Sequence, residues 1–509
     1  MTQIISLIVL LCFITVIIAV GIFSAKKALT VDGFLLGGRK VGPWLSAFAY
    51  GTTYFSAVIF VGYAGMFGWT IGIGGVWIGI ANAVLGCLLA WKVLAKPTWR
   101  LTHTLNARTI PELFEARYLS RGMKLYSAVI IFIFLVPYAA GVYRGLGTLF
   151  SSIFIGISPN VCIAIVAVLT GAYLVLGGYV ATSLNDFIQG IIMIVGLIAM
   201  FAILITRPEV GGISSAVERL HSIDPNLTNI FGGANFAVLL PNILLTSFGV
   251  WGMPQMVHKY YAIKDENSIK IATIVSTLFA LIIGCGAYLS GSLSKLFIAA
   301  TETGAPALEG GYDAVIPAML MQALSGGVLH NIVLGVILLL LLSASMSTLS
   351  SVVLSSSSAV SVDLMQGIMP DIKQKSQLSI MRVLCVLFIA LSFIFATMNI
   401  SFIVNLMSFS WGVVAGSFIG PFFWGLYGRW ITKAGAWAGL LSGVIVVGGS
   451  LIYLSSGLGF DAAKAFAPQM GILAMAVSFV AVPAVSLFTK KFDSAHTDKV
   501  FSNNTSNVA

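Results

Sequence analysis

The amino-acid sequence predicts an all-α, polytopic membrane protein of about 13 transmembrane helices, counted as apolar runs near the ~20 residues that cross about 30 Å of hydrocarbon. Of 509 residues, 58% are hydrophobic and 9% are charged, roughly a third of the charged share of a soluble domain. Runs this long satisfy their own backbone hydrogen bonds as helices, whereas barrel strands would be short and alternating. A soluble enzyme is excluded.

The runs fall at about 2–23, 43–69, 73–95, 122–152, 158–178, 184–206, 236–258, 268–298, 330–364, 378–398, 401–426, 434–455 and 469–489. Residues 1–489 then form a single membrane transport domain. The polar stretch 490–509, with Asn503, Asn504, Thr505, Ser506 and Asn507, is expected to be a disordered cytoplasmic tail. The first run has no basic residue before it, is followed by Lys26 and Lys27, and lacks a small-residue cleavage site. It reads as a retained helix with its N-terminus outside, not as a signal peptide. In that orientation 22 of the 27 Lys and Arg are cytoplasmic, Arg207, Arg219, Lys295 and Lys464 lie outside, and Arg144 is inside a span. The net charge of +10, which in a soluble chain would raise nucleic acid as a partner, thereby becomes a positive-inside signal. The expected location is the plasma membrane, as in a bacterial inner membrane, with a cytoplasmic C-terminus and no nucleic acid or obligate protein partner.

Span 2 carries Pro43 at its start and Gly51 among hydroxyls near its middle; span 7 contains Pro241, Gly249, Gly252 and Pro254. Each of these residues weakens or removes intrahelical hydrogen bonding. Interrupted helices five spans apart point to an inverted repeat with the binding site at the breaks. The halves would be about 43–206 and 236–426, with one extra helix before them and two after. The plainer alternative is that Gly and Pro are common in membrane helices.

Cys12, Cys87, Cys162, Cys285 and Cys385 all fall within spans and lack paired spacing, so they read as small core residues. No H-E-x-x-H, nucleophile elbow or P-loop occurs. Uphill transport would need an ion gradient or a separate subunit. Within the serine-rich stretch 343–361, Ser347 and Thr348 place adjacent hydroxyls at membrane depth, where they bind a hard cation or turn back to carbonyls of their own helix. Asp186 enters span 6 at an early turn, as an ion-route carboxylate or one favoured by the helix dipole. Arg144 lies roughly 12 Å below the outer end of span 4, where an unpaired guanidinium costs about 3 kcal/mol. A substrate carboxylate would offset that cost; the alternative is snorkelling to the interface.

Several segments resemble the sodium:solute symporter family, which includes sodium/proline, sodium/pantothenate, sodium/sialic acid and sodium/sugar cotransporters. They are Phe34-Leu35-Leu36-Gly37-Gly38-Arg39, Arg108-Thr109-Ile110-Pro111-Glu112-Leu113-Phe114, Gly177-Gly178-Tyr179, Asn185-Asp186-Phe187-Ile188-Gln189-Gly190, Met346-Ser347-Thr348 and Lys433-Ala434-Gly435-Ala436-Trp437-Ala438-Gly439. Each is weak singly; their order and spacing are specific, and the match covers nearly the whole chain. The resemblance implies a LeuT-type five-plus-five inverted repeat and sodium as the coupling ion. It places the sodium on the carbonyls of Thr52, Phe55 and Ala344 and the hydroxyls of Ser347 and Thr348, with Asp186 on the inner ion route. Tyr138 resembles a tyrosine of the proline-type members and shares a helix face with Gly141, so the solute site is expected near Ser56, Tyr138 and Gly141, with Ser247 and Trp251 at the span 7 break as a wall, where packing is the alternative. Arg144 would recognise a carboxylate.

This chain departs from the proline-type members at Tyr54, where they carry an acid, and at Thr246 and Val250, where they present Trp and Tyr. The expected function is sodium-coupled import of a small carboxylate-bearing solute, such as an amino acid, a pantothenate-like or a sialic-type acid. A proton-coupled carrier of the same fold and a sodium/sugar symporter remain the alternatives. A second sodium site is not evident from the residues.

Overall fold

The computed structural model describes residues 2–154, 156–233, 236–324, 327–366, 372–398 and 403–502. Its long elements are α1 (Thr2–Ser24), α2 (Pro43–Tyr54), α3 (Val58–Thr104), α4 (Arg121–Ile153) and α5 (Pro159–Thr206). They are followed by α6 (Phe236–Gly249), α7 (Pro254–Ala262), α8 (Glu266–Ser292), α9 (Val328–Ser358) and α10 (Gln374–Thr397). The chain closes with α11 (Ile403–Tyr427), α12 (Lys433–Leu458), α13 (Ala467–Leu487) and a short α14 (Ser494–Phe501). Among the described residues, 11 helical runs are long and apolar enough to cross a membrane.

Two runs are too long for one crossing. At 1.5 Å per residue, the 47 residues of α3 and the 48 of α5 would each reach about 70 Å, twice the hydrocarbon thickness. Each reverses at a glycine. Gly72 (φ 72°, ψ −137°) and Gly178 (φ 55°, ψ −149°) adopt backbone angles open to glycine alone. The reversal is visible in the packing, because Gly68 abuts Gly291 on α8 while Gly79, further along α3, abuts Gly284, nearer the start of α8. Along α1, Gly177 meets Ser24 before the turn, and Asn185 Nδ2 donates to the Ile17 carbonyl after it.

Both spans that the sequence marks as interrupted are broken. The ladder of α2 ends with Phe55 N on Gly51 O and resumes with Ile59 N on Ser56 O, while the Ser56 hydroxyl accepts from Val58 N at 3.2 Å. Phe55 itself is non-helical (φ −101°, ψ 89°). In the second break, Gly252 N returns to Gly249 O. Pro254, which lacks an N–H, then starts α7 instead of continuing α6. Between these breaks runs α9, with Ser343, Ser345, Ser347, Thr348 and Ser350 fully buried. Apolar side chains face outward on the perimeter, among them Ile274, Val383 and Ile452, as a lipid-facing surface requires.

The tail departs from expectation. Ser494–Phe501 is helical, Val500 and Phe501 are buried, and His496 Nε2 donates to the Arg117 carbonyl at 3.0 Å. The Arg117 guanidinium lies 5.9 Å from the Phe492 ring centroid and 5.2 Å from that of Phe501. A polar composition conceals apolar residues that become buried against Arg117 and Arg429, both distant in the chain. Asn503 to Asn507 lie outside the described residues.

Candidate functional site

Four of the five groups expected to hold sodium meet where α2 breaks against α9. The Ser347 hydroxyl donates to Thr52 O at 3.0 Å and to Ala344 O at 3.2 Å. The Thr348 hydroxyl reaches Thr53 O at 3.1 Å, Ala344 O at 3.1 Å and Thr52 O at 3.3 Å. Phe55 stands in the break one turn beyond Thr52, its carbonyl outside these bonds. The break explains the cluster, since ending the ladder frees carbonyls that a continuous helix would consume. Oxygen atoms alone, from carbonyls and hydroxyls, form the donor set a hard cation takes in a membrane; the residues present fit sodium.

A buried charge pair adjoins this cluster. Asp186 on α5 and Lys259 on α7 are 0% and 1% exposed, with Lys259 Nζ 4.0 Å from Asp186 Oδ2. The ammonium donates to Ser351 Oγ at 2.9 Å and sits 5.0 Å from the Tyr179 ring centroid. Ser351 Oγ in turn bonds Thr53 Oγ1 at 2.9 Å. The expected ion-route acid is therefore linked through Lys259, Ser351 and Thr53 to the ion ligand Thr348, whose hydroxyl donates to Thr53 O.

On the solute side, Tyr138 is buried on α4 and faces Ser56 and Trp411. Its ring lies edge-on to Trp411 at 5.8 Å, and Trp411 stacks on Tyr54 at 6.4 Å. Gly145 lets α4 approach Ala57 in the break, and Gly141 faces Ile403 and Leu406. Ser247 and Trp251 point elsewhere. Ser247 donates to Asn82 Oδ1 at 3.0 Å; the Trp251 indole donates to Leu85 O at 3.1 Å and stacks on Phe423. Two of the three departures from the proline-type pattern meet directly, the Tyr54 hydroxyl donating to Thr246 O at 2.8 Å.

Arg144 has a protein partner that the sequence did not supply. Its Nη2 is 3.9 Å from Asp313 Oδ2, and that oxygen accepts from Ile403 N at 3.2 Å. Burial pushes the Asp313 carboxyl up to about 6, against the opposing pull of the Ile403 N–H and Arg144. Both residues line a cavity of about 960 Å³, together with Thr148, Glu309, Asp461 and Lys464.

Sequence reasoning missed Lys259, Asp313, Asn82 and Trp411. Asn82 and Trp411 carried a signal, being polar-headed residues inside apolar runs. Lys259 fell one residue beyond the expected end of span 7, and Asp313 lies in a long loop.

Comparison with known proteins agrees with this architecture. The sodium:solute symporter family profile matches residues 34–443. The osmoregulated proline transporter OpuE of Bacillus subtilis (strain 168) is 28% identical over 477 residues, 93% of this chain and 92% of that protein. The high-affinity proline transporter PutP of the same organism is also 28% identical, over 94% of this chain and 97% of its own. A substrate-bound, outward-open Na+-coupled sialic acid symporter superimposes with a TM-score of 0.78 at 18% identity, covering 96% of this chain and 99% of that one. This is a membrane transport protein of the symport class, not an enzyme, and it belongs to the sodium:solute symporter family.

Proposed function

We propose that this chain imports a small carboxylate-bearing solute, coupled to sodium, by alternating access. The observation that carries the reading is the hydroxyl and carbonyl cluster of Thr52, Ala344, Ser347 and Thr348 at the α2 break, with Phe55 completing the set. A sodium ion there would replace the hydroxyl-to-carbonyl bonds with its own coordination and hold α2 against α9. Release would let them part, the differential binding that shifts a two-state carrier. Asp186 would lie on the ion's inward route.

The solute would enter through the cavity beside Arg144, exchange its carboxylate for Asp313 on the guanidinium, and settle among Ser56, Tyr138 and Gly141. The Trp411 indole, facing Tyr138, supplies an N–H there. Ser247 and Trp251 then shape the site from behind. The names of the relatives make proline the first solute to test, while the Tyr54 to Thr246 contact favours a differently shaped amino or organic acid.

Thirteen crossings in a five-plus-five inverted repeat, with the N-terminus outside, fit the loop contacts. Loops expected in the cytoplasm touch each other, as in Arg39 to Ala107 O, Arg100 to Glu266 and Thr109 to Asp363. The outside loop 299–329 likewise meets the outer parts of spans 2 and 4, as in Trp69 to Gly304 O and Arg144 to Asp313. One sodium moving with a zwitterion gains about 2.3 kcal/mol per 100 mV and ~1.4 kcal/mol per tenfold gradient, enough for a few hundredfold accumulation. The buried Asp186 carboxylate favours a second reading, proton coupling. Uptake of a labelled solute panel into proteoliposomes decides: the proposal requires transport under a sodium gradient, and equal transport under a pH gradient without sodium overturns it.

A further inference from the structure

We infer that the Lys259 ammonium is a tethered cation, filling a slot beside the sodium position where a second coupling ion would otherwise bind, so that the carrier moves one sodium per cycle. The inference rests on the sodium reading above.

The slot has the chemistry of a cation site with a full negative charge added. The Asp186 carboxylate is completely buried, and neither of its oxygens accepts a hydrogen bond among the described residues. A charge so placed demands a counter-ion. The hydroxyls of Ser351 and Thr53 lie alongside, bonded to one another, and the Tyr179 ring presents its face. Lys259 reaches this place from the first turns of α7, immediately after the second helix break, and meets carboxylate, hydroxyl and ring together.

Two consequences follow from the geometry. A free sodium entering the slot would meet an ammonium already held there, and like charges at contact distance in a low dielectric exclude each other. The tether also joins four elements, because Lys259 on α7 contacts α5 through Asp186 and α9 through Ser351, which bonds Thr53 on α2. Thr53 O then accepts from Thr348, so both broken helices are referred to the same ion. A mobile second ion would tie these elements only when bound; the lysine ties them in every turnover.

Equilibrium binding of radioactive sodium to the purified carrier tests this. The wild type should bind one sodium per chain with a Hill coefficient near one. Lys259→Ala, which empties the slot and leaves Asp186, should bind two, with the Hill coefficient rising towards two. Asp186→Asn combined with Lys259→Met removes the slot's negative charge together with its lysine, and should not gain the second sodium that Lys259→Ala binds. Two sodium ions on the wild type, or one at unchanged affinity on Lys259→Ala, overturns the inference. If Lys259→Ala does not fold, Lys259→Gln, which keeps the side chain's length and removes its charge, takes its place, and one sodium at unchanged affinity on that variant overturns the inference. A wild type that binds no sodium contradicts the symporter reading itself.

Discussion

The Ser347 hydroxyl donates to the Thr52 carbonyl at 3.0 Å, joining residues 295 positions apart in the chain. This bond exists because α2 stops at Tyr54 and its freed carbonyls face the buried, hydroxyl-rich stretch of α9. It lines the break with oxygen atoms shared between α2 and α9, the seam that the proposed sodium would occupy.

Arg144→Gln keeps the length and polarity of the side chain and removes its charge. The KM for a carboxylate-bearing solute should rise about 10- to 100-fold, matching the ~1.5–3 kcal/mol of a charge-assisted hydrogen bond. Sodium binding should be unchanged. An unaltered KM, measured by initial-rate uptake, would leave Arg144 only as the structural partner of Asp313.

Asp313 makes the stability of the carrier depend on pH. Because burial pushes its carboxyl up to about 6, the folded chain holds a proton between about pH 4 and 6 that the unfolded chain releases. The stabilisation is fully present below the unfolded value and is lost as pH rises through about 6, amounting to about 3 kcal/mol. Thermal unfolding followed across this window should decline more steeply with pH in the wild type than in Asp313→Asn. Parallel profiles would show that the carboxyl does not titrate there.

Gly178 turns α5 back on itself, and a Cβ there would lie 2.7 Å from Phe34 O. Gly178→Ala therefore adds a backbone clash to roughly 1–3 kcal/mol of conformational strain. Monodisperse yield and Tm should both fall. Gly449→Ala, in open space on α12, should be neutral or gain up to about 1 kcal/mol. Equal behaviour of the two variants would remove the reversal at Gly178.

The apolar runs and both helix breaks were legible in the sequence because length, Gly and Pro act locally. Ser347 and Thr348 were legible as a hydroxyl pair, with their partners supplied by family resemblance. Long-range pairings were not. Asp313 meets Arg144 only because a loop after α8 folds over the end of α4, and nothing in either segment's composition announces that. Lys259 read as a loop charge because the apolar run ends at 258; folding carries it inward to Asp186. Trp251 was placed on the solute wall by its position in the break, yet its indole follows the Leu85 carbonyl, since a Trp N–H in a dry interior goes to the nearest acceptor. The helix Ser494–Phe501 was hidden for the same reason, its anchor Arg117 lying in a separate loop.

The most direct test of sodium coupling at the α2 break is the sodium concentration that half-activates solute uptake, compared between the wild type and the double variant Ser347→Ala with Thr348→Ala. Removing both hydroxyls should raise that concentration at least about tenfold, or ~1.4 kcal/mol, at equal amounts of folded carrier. Half-activation at the same sodium concentration in both proteins would contradict the account.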